Sequence, residues 1–367
     1  MAKKSRVLYL DIARCLAIVL VALNHSVNRC YTNYTDQIGE FQSIPLASSV
    51  FKAVMTVASH YGVPIFLMIT GALLVPRKFE TKEDVVRFYK HNWLKILITT
   101  EIWLFIMFWV KMIGVNREML EPARLPEILR MLIKTLLFIN QYTFDSMWYL
   151  PMILLVYLLI PVYALAIQKM SMFVLWIPAA LVMMEQMIMP YVNSALVLMG
   201  STKKFSLAFT SANLFSAYYL YLFAGYWIAA GGLAKIKSHI LYLLEAAIFV
   251  LMSVYQLWIY SREQDMLLDY NFLGFLLGAA ILFELICRNA DKWSRFAPAF
   301  EFVSRRAFAI YFIHIQVMSV MKQLPFVPLL NRPMKLVYLE VGSLVGSLII
   351  IEVLSRNRLL KKYMLYM

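Results

Sequence analysis

The chain has 367 residues, of which 62% are hydrophobic and 15% charged, with a mean hydropathy of +0.70. Soluble domains are about 45–50% apolar and about a quarter charged, so the composition excludes a soluble globular enzyme and indicates a polytopic membrane protein. The formal charge of +14 gives no case for a nucleic-acid partner, because no soluble basic domain holds it, and Lys/Arg-rich cytoplasmic loops account for it.

A membrane span needs about 20 mostly apolar residues. Ten segments qualify, at roughly 7–27, 50–75, 93–113, 146–167, 171–190, 213–231, 240–260, 271–287, 303–321 and 336–354. The first follows a basic start, MAKKSR, as a signal peptide would. It is too long, carries Asp11 and Arg14, and lacks a small-x-small cleavage site, so it reads as a retained helix. Loop charge sets the orientation. The N-terminus holds Lys3, Lys4 and Arg6, residues 28–49 hold only Arg29, and residues 76–92 hold Arg77, Lys78, Lys82, Arg87 and Lys90. The tail is also basic, with Arg356, Arg358, Lys361 and Lys362. This places both termini in the cytoplasm, as an even helix count requires. Glu127 to Ile139 reads as an interfacial or re-entrant helix, with Glu127, Arg130 and Lys134 on one face. Cys15, Cys30 and Cys287 show neither metal-type spacing nor a disulfide framework. The expected fold is all-α: about ten transmembrane helices in one bundle, a single membrane-embedded domain over 1–367 without an appended soluble domain.

The first span carries the strongest signal. An ionisable group at membrane depth is costly, on the order of 2.5–3.5 kcal/mol for Arg or Asp at a helix centre. Asp11 and Arg14 are one turn apart and can pair. Arg14 and His25 are separated by close to three turns, so they project from nearly one face, about 16 Å apart along the axis. This polar stripe suggests a water- or ligand-accessible seam. A neutral His25 can take a proton from a hydroxyl as general base; the competing reading is an interfacial histidine that hydrogen-bonds a loop. The planar fork of Arg14 suits a phosphate or carboxylate, with a packing pair to Asp11 as the alternative.

Further along, Thr70 and Gly71 offer a small surface for close helix approach. Arg77 and Lys78 follow at the cytoplasmic end, where they suit a nucleotide phosphate or serve topology alone. Asp145 stands beside the aromatic pair Trp148 and Tyr149, on the outer side with His25, and can orient its imidazole. Tyr311 and His314 share a face of the ninth span, and a histidine there is a functional candidate by default. Glu101, Glu185, Glu245, Glu284 and Glu352 also lie in apolar runs and are not ranked by the sequence. There is no Gly-rich phosphate loop, zinc-type His/Glu cluster or G-x-S-x-G elbow.

Four stretches, in order, resemble the acyltransferase-3 family of integral membrane O-acyltransferases, and the resemblance spans essentially the whole chain. Leu10, Asp11 and Arg14 with His25 match its Leu-Asp…Arg and Arg-x10-His pattern. Phe66 to Gly71 stands where the family has Phe-Phe…Ser-Gly, with Thr70 in place of Ser. Met147 to Leu150 stands where Leu-Trp-Phe-Leu is common, and Tyr311 to His314 is near Tyr-Leu-x-His. The resemblance implies transfer of an acyl group, usually acetyl, from cytoplasmic acyl-CoA to a hydroxyl of a surface polysaccharide, glycolipid or related carbohydrate. His25 would be catalytic and Arg14 its partner in the motif. Arg77 and Lys78 would meet the donor, although they are not the Arg-x-Arg of some members. Asp145, Trp148, Tyr311 and His314 complete the expected substrate- and donor-binding set. No permanently bound cofactor or metal is expected. The expected partners are acyl-CoA, a carbohydrate acceptor, the lipid bilayer and a second protein for any further transfer step. The expected location is the bacterial plasma membrane, crossed many times. The rival reading is a transporter that exports a modified glycan, but the matching broken helices of such proteins are absent from the two halves of this sequence.

Overall fold

The computed structural model describes residues 7–32, 36–114, 120–139, 147–201, 216–262 and 268–366. Every regular element among them is helical. Eight stretches are long and apolar enough to cross a membrane: Leu8–Cys30, Leu46–Leu74, Lys82–Gly114, Tyr149–Lys169, Phe173–Leu198, Ser238–Arg262, Leu273–Met321 and Arg332–Ser355. The seventh contains two of the expected spans, α13 (Leu273–Asn289) and α14 (Ala297–Met321), joined by the 3-10 turn Ala290–Phe296. The expected span at 213–231 is described as α11 (Tyr218–Ala229), only 12 residues long. The helices fall into two compact units, residues 1–77 with 167–349 and residues 78–166 with 350–367.

The first unit is organised around α1 (Leu8–Cys30), which packs on α3 (Leu46–Ser59), α4 (Gly62–Leu74), α13 and α14. In lipid, helices gain little from hydrophobic burial against each other, so close van der Waals contact and internal polar pairing decide which faces meet. α1 supplies the contact with Ala13, Ala17 and Ala22, all without exposed surface. The apolar run 46–74 is broken at His60 and Tyr61, between α3 and α4. Pro64 is the cause, since it has no N–H to give the His60 carbonyl, and the regular ladder resumes with Ile65 N donating to Tyr61 O at 3.1 Å. α4 and α11 meet through glycine. A Cβ on Gly71 would fall on the Leu222 carbonyl, and one on Gly225 would fall on the Met68 backbone. The short α2 (Gln37–Ser43), α12 (Ser238–Arg262) and the α15 helix (Arg332–Ser355) as far as Ile349 complete this unit. So do α9 (Met172–Val182) and α10 (Met189–Leu198), with the π-helical turn Met183–Ile188 between them.

In the second unit, α5 (Lys82–Phe88) begins with a reciprocal cap: Thr81 accepts from the Asp84 N–H, and the Asp84 carboxylate accepts from the Thr81 N–H. It runs through the π-helical turn Tyr89–Trp93 into α6 (Leu94–Gly114). The Trp93 indole donates to the Leu154 carbonyl of α8 (Tyr149–Lys169) at 3.0 Å. The segment expected to be interfacial forms α7 (Leu125–Leu136). Its Ile128 and Leu132 pack on Phe108 and Met112 of α6, while Leu125, Leu129 and Ile133 stay exposed beside the Glu127, Arg130 and Lys134 strip. That division into buried, apolar-exposed and charged faces fits a helix lying along an interface. The last helix, α16 (Arg358–Tyr363), is capped by Asn357 and held by the Trp103 indole, which donates to the Met364 carbonyl at 2.8 Å.

The α4–α11 contact is testable. Gly225→Val places branched carbons on the Met68 backbone, an overpacking worth about 1–3 kcal/mol. The thermal unfolding midpoint of the purified protein in detergent drops, and Gly231→Val, in open space apart from one methyl at 3.9 Å but at a φ of 90°, separates backbone strain from collision.

Candidate active site

α1 carries two polar stations. The first lies near its N-terminus. Asp11 is buried, and its Oδ1 accepts from the Ser304 hydroxyl of α14 at 2.6 Å. Arg14 lies one turn on, 3.7 Å from the same oxygen, with 30% of its side chain exposed. The carboxylate therefore has partners on two helices, which offsets the cost of burying it, and the guanidinium is partly exposed.

The second station is at the other end of α1, which is helical without interruption between the two. Eleven residues of helical rise separate Arg14 from His25 by about 16 Å, so Arg14 does not touch the imidazole. The His25 ring is half-buried and lies against that of His314 on α14, 5.3 Å between centroids and tilted by 49°. Tyr311, one turn earlier on α14, is 6.3 Å from His314. The Arg29 side chain turns back along α1 and donates to the His25 carbonyl at 3.2 Å. The neighbouring Ser26 hydroxyl donates to Glu340 of α15 at 2.9 Å.

A small polar layer continues from His25. Asn28 donates to the Asn24 amide oxygen at 3.2 Å, and Asn24 donates to the Ser59 hydroxyl at 3.2 Å. Ser59 itself donates to the Thr56 carbonyl at 2.7 Å. His60, at the break between α3 and α4, uses Nδ1 to reach the Thr56 carbonyl at 2.7 Å, and its ring stacks on Phe275 at 5.5 Å. Tyr270 covers another part of that ring at 5.1 Å. One end of α1 thus presents a half-buried imidazole beside amides and hydroxyls. An imidazole in such a setting has the chemistry of a general base toward a hydroxyl.

A family model described as an acyltransferase domain matches residues 7–352 of this chain. The chain belongs to the acyltransferase-3 family. No curated protein and no solved structure matches it. The protein is thus a multi-pass membrane acyltransferase.

The structure brings some of the expected site residues of this acyltransferase together. His25, His314 and Tyr311 form one group and Asp11 and Arg14 another. Arg77 is exposed just after α4, where its carbonyl accepts from Gln168 at 3.0 Å. Lys78 is exposed 3.7 Å from Glu80, an ion pair of little energetic weight. Trp148 belongs to the second unit, edge-on to Tyr149 at 6.3 Å. Asp145 lies outside the described residues. Of the unranked acids, Glu284 pairs with Arg288 at 2.6 Å. Ser304, Glu340, Ser59 and His60 were not singled out by sequence. Glu340 and His60 do meet the same criterion as the others, an ionisable group inside an apolar run. Ser304 gives no such signal and is marked only by its contact with Asp11.

Ser304→Ala removes the hydroxyl that donates to Asp11 and leaves a buried acceptor short of a partner. The expected loss is about 1–2 kcal/mol of stability, measured as a lower unfolding midpoint in detergent, while Ser304→Thr retains most of it.

Proposed function

We propose that this protein is an acyl-CoA-dependent O-acyltransferase that moves an acyl group, acetyl in the first instance, onto a carbohydrate hydroxyl of a surface polysaccharide, glycolipid or related glycan. The observation that carries the reading is the His25 imidazole: half-buried, without an ion-pair partner among the described residues, at the polar end of a helix that packs on four others in a membrane acyltransferase.

The chemistry follows from what a neutral alcohol needs. It is a weak nucleophile, and a positioned base raises its reactivity. His25 takes the hydroxyl proton as the oxygen attacks the thioester carbonyl. A C–O bond forms, the C–S bond breaks, and the proton passes from His25 to the departing CoA sulfur. The donor is a substrate, bound and released in each cycle. Its phosphates call for cations, and the part-exposed Arg14 fork and the exposed Arg77, with Lys78 next to it in sequence, supply them. The distance of about 16 Å between Arg14 and His25 suits a donor whose charged end and reactive carbonyl are far apart, since the long pantetheine arm joins them. Asn24, Asn28 and Ser59 support a polyhydroxylated acceptor: their hydrogen bonds to one another can be exchanged for bonds to sugar hydroxyls, and Tyr270 adds an aromatic face.

His25→Ala is expected to lower CoA release and acyl transfer from acetyl-CoA by about 10²–10⁴-fold, in a protein that elutes and melts like the wild type. Full activity in that variant would sink the proposal. Arg14→Lys keeps the charge and loses the planar fork, so the KM for acetyl-CoA rises about tenfold with kcat largely retained.

A further inference from the structure

His314 is held in one protonation pattern. Its Nδ1 faces the Ile310 carbonyl at 2.8 Å, and a carbonyl can only accept, so in the neutral ring the hydrogen sits on Nδ1. Nε2 then carries a bare lone pair. That atom is in a ring with no exposed surface, and it has no hydrogen-bond partner among the described residues. A buried acceptor left unmade is uncommon and calls for an explanation. The closer of the two rings against His314 is that of His25, 5.3 Å away, against 6.3 Å for Tyr311. At 5.3 Å between centroids the two rings are close enough for a nitrogen of His25 to reach one of His314 by rotation of the His25 side chain. Arg29 has only hydrogens to offer and gives one to the His25 backbone. Glu340 accepts from Ser26 with Oε2, and its Oε1 has no hydrogen-bond partner among the described residues; what singles out His314 is the contact of its ring with that of His25.

We infer that His314 is a positioning residue for His25: its bare Nε2 accepts the single N–H of the neutral His25 ring and so fixes which His25 nitrogen remains free to act as base. The inference rests on His25 being the base of the proposed reaction. A neutral imidazole has two tautomers, and only the one whose lone pair faces the acceptor hydroxyl is productive. A partner that accepts but cannot donate selects that tautomer. When His25 takes the hydroxyl proton it becomes a cation with two N–H groups. The one facing His314 then makes a charge-assisted bond, stronger than the bond of the neutral pair. The proton moves from the hydroxyl oxygen to His25 and on to the CoA sulfur, while His314 keeps its Nδ1 hydrogen throughout.

Two variants test this in the full-length protein in nanodiscs. His314→Phe keeps a flat buried ring and removes the acceptor. His314→Gln offers a side-chain carbonyl near the place of Nε2. The first readout needs no substrate: nitrogen-15 spectra of histidine-labelled protein, with the His25 signals identified by their loss in His25→Ala. One His25 tautomer is expected in the wild type and in H314Q, and a mixture in H314F. The second readout is CoA release from acetyl-CoA. H314F is expected to lower kcat about 10–100-fold with KM within about twofold, and H314Q to recover most of that loss. A single unchanged tautomer in H314F, or equal losses in H314F and H314Q, overturns the role of His314. If H314F does not fold, H314Q decides alone, and a mixed His25 tautomer there overturns the role as well. Turnover that depends on His25 but not on His314 removes only this inference, whereas full turnover in His25→Ala removes the base assignment beneath it.

Discussion

A charge inside hydrocarbon has to be answered by the protein itself, and the first unit is arranged around that demand. Water in the bilayer core is too scarce to solvate Asp11, and breaking a buried pair is far more costly than never having made it. Asp11 is answered by Ser304 on α14 and by Arg14 on its own helix. The bond to Ser304 joins residues 293 apart in sequence and fixes the rotation of α1 against α14. That rotation also brings His25 to His314, because both helices continue unbroken between the two contacts. A pairing of charges at one end of α1 therefore sets a pairing of imidazoles at the other.

This arrangement divides labour along α1. The Arg14 end has charge and partial exposure; the His25 end has an imidazole, amides and hydroxyls. In the reaction proposed above, the two ends suit the two ends of a long donor, whose phosphates want cations and whose thioester wants a base. α1 keeps them at a constant separation, so positioning, rather than closure of a soluble lid, is what the helix supplies.

Much of this was legible in the residues. Long apolar runs marked the spans, and the helical repeat placed Asp11, Arg14 and His25 on one stripe and Tyr311 with His314 on another. These are local facts, fixed by 3.6 residues per turn. The break at His60 was less legible because Leu46–Leu74 has the composition of one continuous span, and Pro64 acts on a carbonyl four residues back rather than on the hydropathy. Ser304 became visible only through its contact with Asp11 across 293 residues, and Glu340, though an ionisable group in an apolar run, gave no sign of its partner Ser26, 314 residues away. A serine in an apolar helix carries no mark of the carboxylate it will meet, and no periodicity reports which helices will be neighbours. The two histidines were each found separately, but their pairing was not, for the same reason.

The segment just beyond His25 has a further consequence. Glu40 of α2 is buried and accepts from Lys52 of α3 at 2.8 Å, from the Thr32 N–H at 3.0 Å, and from Arg332 at the start of α15. Lys52 also donates to the Thr32 carbonyl and lies 4.0 Å over the Tyr260 ring of α12. Four parts of the chain thus share one carboxylate. Loss of the contact between Lys52 and Glu40 leaves two buried charges in a place that solvates them poorly. That one carboxylate ties the chain just past α1 to α2, α3 and the start of α15.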